Sequence, residues 1–183
     1  MRIESLPRLQ QTCWEELHQA CRDRTHGWRV MTLATVNAGA ADARSVIVRE
    51  VDPNLQRLVF FTDERSPKLR QIEHHPRGTL LAWCPRLSWQ IRLRVALSRE
   101  TDHQLEQSRW ARLKASPAAQ DYLAPMAPGE ALADADTVAG RRASKEHFAM
   151  VNARLVSMDW LELHPEGHRR ALFDAQGSRW LQP

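Results

Sequence analysis

Lys68 sits two residues after Ser66 and one after Pro67, just beyond the apolar run Leu58 to Phe61, and Arg70 follows closely. Serine as an N-cap and proline at the first helical position mark a helix start, where free backbone N–H groups and a nearby ammonium favour an anion such as phosphate. Arg44, in a neighbouring strand pattern, has the fork geometry to join such a site. An ordinary capped helix carrying a solvated lysine explains the same residues. Taken alone, the pattern leaves both readings open.

Other chemistries find less support. The seven glycines, at 27, 39, 78, 129, 140, 167 and 177, never cluster into GxGxxG or a P-loop. A bound phosphate would therefore rest on cationic side chains and hydroxyls. His74 and His75 are adjacent, so a helix would point them about 100° apart. His164 and His168 have metal-site spacing, but Pro165 and Gly167 between them argue against a helix, and no metal is expected. No GxSxG elbow supports a serine nucleophile. Cys13, Cys21 and Cys84 are too few and too scattered for a disulfide framework or zinc cage, and are expected to be buried thiols.

These residues need elements to hold them. Apolar residues at three- and four-residue spacing predict a helix over residues 7–24. Short β-like stretches follow at 29–36, 43–51, 56–62, 79–84 and 88–97, with turn signals at Asn37-Ala38-Gly39 and Asp52-Pro53-Asn54. Tight connections between short strands predict an antiparallel sheet closing into a barrel. In 88–97 the alternation puts Ile91, Leu93, Val95 and Leu97 on a core face, and Gln90, Arg92 and Arg94 on the other. Residues 101–122 turn helical, with Asp102 at the N-cap. Residues 124–142 form a long loop. Three more strands complete the chain, with a β-bulge expected near Leu155-Val156. Trp83, Trp89, Trp160 and Trp180 fall on predicted strands, in core or interface roles.

At 183 residues, 43% hydrophobic and 26% charged, the chain fits one globular domain over 1–183, with residues 1–27 as a helical N-terminal extension. No apolar run reaches membrane-span length and the N-terminus lacks a signal-peptide core, so a cytoplasmic protein without a membrane partner is expected. The formal charge of +4 is spread among acids without a basic block, which argues against nucleic acid as partner.

Four stretches in order, ARSVIVRE, VFFTDERSPKLRQIEHHPR, SWQIRLRVAL and HRRALFDAQGSRWLQP, are together specific. They resemble the pyridoxamine 5'-phosphate oxidase family of FMN-binding split β-barrels, from about Met31 to Leu97 and more weakly from Phe148 to Pro183. The resemblance implies a mainly β fold with flanking helices and a homodimer with FMN in a cleft between subunits. It also implies oxidoreductase chemistry on a small-molecule substrate, the flavin accepting the hydride. On the family's R-x-V-x-x-[KR] strand it implies flavin contacts at Arg44, Val46, Val48 and Arg49. It implies further contacts at Phe61, Thr62 and Ser66, with Lys68 on the FMN phosphate. Gln90, Trp160 and Arg170 complete the set. No catalytic side chain is assigned, because hydride transfer to a flavin needs no general base.

Departures from the pattern bear on substrate. Pro67 stands where the family has an arginine on the phosphate. Arg49 replaces the oxidase's substrate-facing lysine. The segment SRWARLKASPAAQDYL offers no clean counterparts to the tyrosine, arginine and serine that hold the substrate phosphate. Glu166 replaces the arginine of the family's R-x-H motif, if His168 is its histidine. FMN binding is thus expected more firmly than turnover of pyridoxamine phosphate. The alternative is a flavin- or haem-binding protein of the same fold without oxidase turnover.

Overall fold

Ser5 caps the first helix, α1 (Leu6–Arg22), by accepting from the Arg8 amide, and Pro7 occupies the first turn, where its missing N–H costs nothing. The helix lays Leu9, Cys13, Trp14, Leu17 and Ala20 on the core and leaves its other face to solvent. The computed structural model describes residues 2–131 and 146–183.

Eight antiparallel strands follow: β1 (Val30–Asn37), β2 (Ala40–Asp52), β3 (Arg57–Asp63), β4 (Arg77–Cys84), β5 (Trp89–Arg99), β6 (Phe148–Glu162), β7 (Arg169–Asp174) and β8 (Gly177–Leu181). Their order is β3-β2-β1-β4-β5-β6-β7-β8, and β6 also pairs with β3, so the first six strands close into a ring. β6 makes this possible by its length. Its first half pairs with β3, its second half pairs with β7, and β5 runs along the opposite edge. The expected β-bulge is present: Arg94 pairs with Ser157 and Val95 with Leu155, which leaves Val156 unpaired.

Alternation fills the ring. Met31, Leu33, Val46, Val48, Phe60, Leu80, Ile91, Leu93 and Val95 point inward with under a tenth of their surface exposed. Helix α2 (Pro67–His74) closes one end, burying Leu69 and Ile72. Helix α3 (His103–Lys114) starts at Asp102, whose carboxylate accepts from the Gln104 and Leu105 amides. The helical stretch expected over 101–122 is broken after Lys114 and resumes as a 3-10 helix, Pro117–Tyr122. Together these segments cover the outer face of β3 and the start of β6 with a second apolar cluster of Val59, Trp110, Ala119, Tyr122, Phe148 and Met150. The expected loop at 124–142 carries neither helix nor strand up to residue 131, and its remainder lies outside the described residues. All three cysteines are free thiols, Cys13 and Cys84 buried and Cys21 half-buried.

Candidate functional site

Lys68 emerges from the first turn of α2 half-buried, and its ammonium donates to Thr62 Oγ1 and Ser66 Oγ, each at 2.8 Å. No carboxylate pairs with it among the described residues. Ser66 is the N-cap residue by position, but its hydroxyl accepts from Lys68 instead of from the helix amides. Burial, reinforced by the nearby Arg44 charge, pushes the Lys68 ammonium below the ordinary lysine pKa, although Asp63 works against this. A cation held at such a cost by hydroxyls alone is suited to an anionic ligand.

Arg44 has other commitments. Its guanidinium ion-pairs with Asp42 at 2.6 Å, donates to Gln71 Oε1 at 2.7 Å, and also bonds the Thr35 hydroxyl. Gln71 donates in turn to Asp42 at 2.7 Å. The result is a polar plug where α2 meets β1 and β2. In this chain the Arg44 fork is not free: its charge is near Lys68, and Asp42 pairs with it. Val46 and Val48 are 6% and 1% exposed, so their side chains belong to the core, and the Val48 amide already donates to the Arg29 carbonyl at 3.1 Å.

Arg49 is placed by a second bulge. Val48 pairs with Phe60 and Glu50 with Val59, so Arg49 is the extra residue. Such bulges re-aim side chains. Here Glu50 turns to Arg109 of α3, while the Arg49 guanidinium lies 5.8 Å from the Phe61 ring centroid. Phe61 packs edge-on against Phe148 at 5.0 Å.

The remaining predicted residues lie on another wall. Gln90 is half-buried on the outer face of β5, between Trp83 and Leu161, and its amide has no hydrogen-bond partner among the described residues. Arg170 on β7 grips Asp159 through Nε at 3.0 Å and Nη2 at 2.7 Å, and Arg92 binds the same carboxylate. Burial raises the Asp159 pKa, but the hydrogen bonds from Arg170 and Arg92 outweigh it and hold it below the usual carboxylate range. Beside this triad runs a groove of about 540 Å³ that also takes in Arg94 and Arg179. Trp160 takes the core role that its strand position allows. It is fully buried, edge-on to Trp89 at 5.1 Å and to Trp180 at 6.3 Å, so its ring is closed to any ligand of this chain. Its indole N–H has no hydrogen-bond partner. Among the described residues no group of three His, Cys, Asp or Glu side chains is placed to hold a metal ion.

The model of the pyridoxamine 5'-phosphate oxidase FMN-binding domain matches residues 11–98, which carry Arg44, Arg49, Phe61, Thr62, Ser66, Lys68 and Gln90. A pyridoxine/pyridoxamine 5'-phosphate oxidase from Azorhizobium caulinodans is 36% identical over 89 residues, covering 48% of this chain and 41% of that enzyme. The chain is a divergent relative of the pyridoxamine 5'-phosphate oxidases. It matches less than half the length of the curated enzymes it resembles. The fold extends further. A pyridoxamine 5'-phosphate oxidase-related, FMN-binding protein from Nostoc punctiforme superposes over 100% of both chains, with a TM-score of 0.75 at 22% identity. PhzG from Burkholderia lata, solved with tetrahydrophenazine-1-carboxylic acid, covers 98% of this chain and 93% of its own, at 0.74 and 17% identity.

Sequence reasoning missed Asp159, which organises Arg92 and Arg170, and the plug residues Thr35, Asp42 and Gln71. Asp159 was legible as an acid one strand away from the Arg92 and Arg94 stripe. The plug needed the strand register.

Proposed function

We propose that the protein is a dimeric FMN-dependent oxidoreductase of the split-barrel type, acting on a small molecule other than pyridoxamine phosphate. The observation that carries this is Lys68, a half-buried ammonium with hydroxyl partners and no carboxylate, set at a helix start inside the matched FMN-binding segment. These residues fit the phosphate end of FMN. Bound there, the flavin supplies hydride acceptance. Lys68, with Thr62 and Ser66, fixes the phosphate. The Phe61-Thr62 backbone and the unpartnered Gln90 amide supply the contacts that orient the ring.

Lys68 and Gln90 stand on different walls of one chain, which supports a cleft completed by a second copy. The outer face of β1, β2 and β4 supports it too: Val30, Ile47, Leu81 and Trp83 are 51%, 37%, 38% and 40% exposed on adjoining strands. An uncovered apolar sheet face of this kind fits a subunit interface. Loss of the family's substrate-phosphate residues argues against pyridoxamine phosphate.

The purified protein is expected to show a flavin absorption spectrum and to release FMN on denaturation. Its flavin should be reduced by a substrate or by NAD(P)H. A colourless protein that takes up no FMN overturns the proposal. A flavin that no donor reduces leaves a flavin carrier in its place.

A further inference from the structure

Arg57 opens β3 half-buried, and its Nε is a buried donor without a hydrogen-bond partner. Among the described residues its guanidinium makes one hydrogen bond, from Nη1 to Asn152 Oδ1 at 3.4 Å. A buried donor left unmet is costly, and more so on a charged group. Five other half-buried arginines place this same nitrogen against a carboxylate. Nε lies 2.9 Å from Glu162 in both Arg2 and Arg169, and 3.0 Å from Asp63 in Arg65 and from Asp159 in Arg170, while Arg109 uses it on Glu50. At Arg57 the described residues supply no such carboxylate.

The acids nearby are engaged elsewhere. Asp52 stands across the β2–β3 pairing from Arg57, but its Oδ1 accepts from the Asn54 and Leu55 amides of the turn. Glu50 is held by Arg109. Glu100 is reached through Asn152, whose Nδ2 donates to it at 2.9 Å. On its other side Arg57 faces Arg154 of β6, and like charges directly opposite destabilise a sheet.

A cavity of about 390 Å³ adjoins this guanidinium, a size in the range of small-ligand pockets. Val51, Pro53 and Val59 give it apolar walls, and His18 of α1 stands at its edge. Arg57 and Arg109, with Arg154 alongside, oppose Glu50 and Asp52, which leaves one positive charge in excess.

We propose that this cavity, between α1, the β2–β3 turn and α3, binds a small organic monocarboxylate on the Nε and Nη2 edge of Arg57. The apolar body of the acid lies against Val51, Pro53 and Val59. Nε is covered in the free protein, so the guanidinium turns that edge into the cavity as the ligand arrives, and the long bond to Asn152 yields. A carboxylate fits on two counts: it is planar, with two acceptors parallel to the fork, and its single charge equals the excess. A neutral amide of the same shape offers one acceptor and no charge. The site goes beyond the flavin reading and does not depend on it.

The test follows the Arg57 Nε–H signal by nitrogen-resolved NMR in the protein as purified, the signal being assigned by its loss in Arg57→Lys. The probes are isobutyrate and its neutral isostere isobutyramide. Isobutyrate is expected to move the signal downfield and to saturate, with a Kd on the order of millimolar for so small a ligand. Isobutyramide should bind roughly tenfold more weakly or worse. Read instead on the Asn152 side-chain amide, Arg57→Met should weaken isobutyrate by roughly 10- to 100-fold, and Arg57→Lys, which keeps the charge, by less. The proposal is overturned by an Nε–H signal that isobutyrate does not move, or that isobutyramide or sodium chloride at equal ionic strength moves as far. Isobutyrate binding unchanged in Arg57→Met overturns it too. FMN content is scored separately by absorbance, so a protein without flavin that still shows the isobutyrate response removes the oxidoreductase and keeps this site.

Discussion

Replacing Lys68 with methionine separates a ligand-binding role from a structural one, because the two predict opposite changes in stability. Methionine keeps the apolar stem and removes the ammonium that donates to Thr62 and Ser66. In the protein without ligand that ammonium is half-buried and lacks a carboxylate, and its pKa is held below the ordinary lysine value by burial and by Arg44. A lysine with a folded pKa below its unfolded one destabilises the fold at every pH below the folded value. The penalty fades as pH rises towards the unfolded value. Near neutral pH, Lys68→Met should therefore hold or raise the melting temperature of the FMN-free protein. FMN affinity should fall, since a hydrogen bond to a charged group contributes about 1.5–3 kcal/mol, or roughly 10- to 150-fold in Kd. In the parent protein, affinity should also decline as pH rises through the lowered Lys68 pKa. Flavin fluorescence titration and thermal melts measure these effects. Unchanged FMN affinity together with a lower melting temperature would refute the argument and leave Lys68 as a structural residue.

Three further outcomes are expected. Gly27→Ala places a Cβ 2.7 Å from the Cys84 Cα and 2.8 Å from the Trp83 carbonyl oxygen, both backbone atoms. The substitution should cost about 1–3 kcal/mol, seen as a lower melting temperature. Asp159→Asn removes the shared carboxylate of Arg92 and Arg170 and should cost about 1.5–3 kcal/mol at pH 7. Because the Asp159 pKa is depressed, that contribution is present above the unfolded carboxylate value of about 3.9 and is lost as pH falls through the folded one, so the melting temperatures of parent and variant should draw together below the unfolded value and meet only below the depressed one. Trp83→Lys puts a charge in the exposed apolar face and, on the proposed dimer, should shift the protein to monomer in light scattering, with FMN uptake falling alongside; a parent protein that is monomeric, or a variant that stays dimeric, refutes that interface.

The two bulges show what a sequence reveals and what it withholds. Val156 was visible because the apolar alternation of β6 changes phase there, a signal carried by one strand alone. Arg49 was not, because its bulge exists only in the pairing of β2 with β3, and a single strand carries no trace of its partner's register. The same limit explains Arg44. Its neighbours Asp42 and Thr35 are placed by the register of β1 and β2, and Gln71 by the docking of α2, so its commitments are tertiary facts. The depth at which Trp160 is buried was hidden for a related reason. A strand position fixes which face a tryptophan takes, but the stack with Trp89 and Trp180 that buries it comes from three strands at once. By contrast, the inward set Ile91, Leu93, Val95 and Leu97 needed only alternation, and all four are buried.

The placement of unbalanced charge ties the site together. Most buried or half-buried cations of this chain have an acid of their own: Arg44 has Asp42, Arg65 has Asp63, Arg109 has Glu50, and Arg170 shares Asp159 with Arg92. Arg29 and Arg57 have no ion pair and donate instead to the Ala20 and Cys21 carbonyls and to Asn152 Oδ1. Lys68 and Arg49 likewise have none among the described residues. They flank the end of β2 and β3, one on the α2 side and one on the α3 side, with Phe61 and Thr62 between them. Folding alone gains nothing from two half-desolvated cations, since each costs solvation without a compensating pair. A ligand carrying a phosphate would balance Lys68. On this account the positive charge first seen at the strand–helix junction comes down to Lys68, whose anion the flavin titration tests.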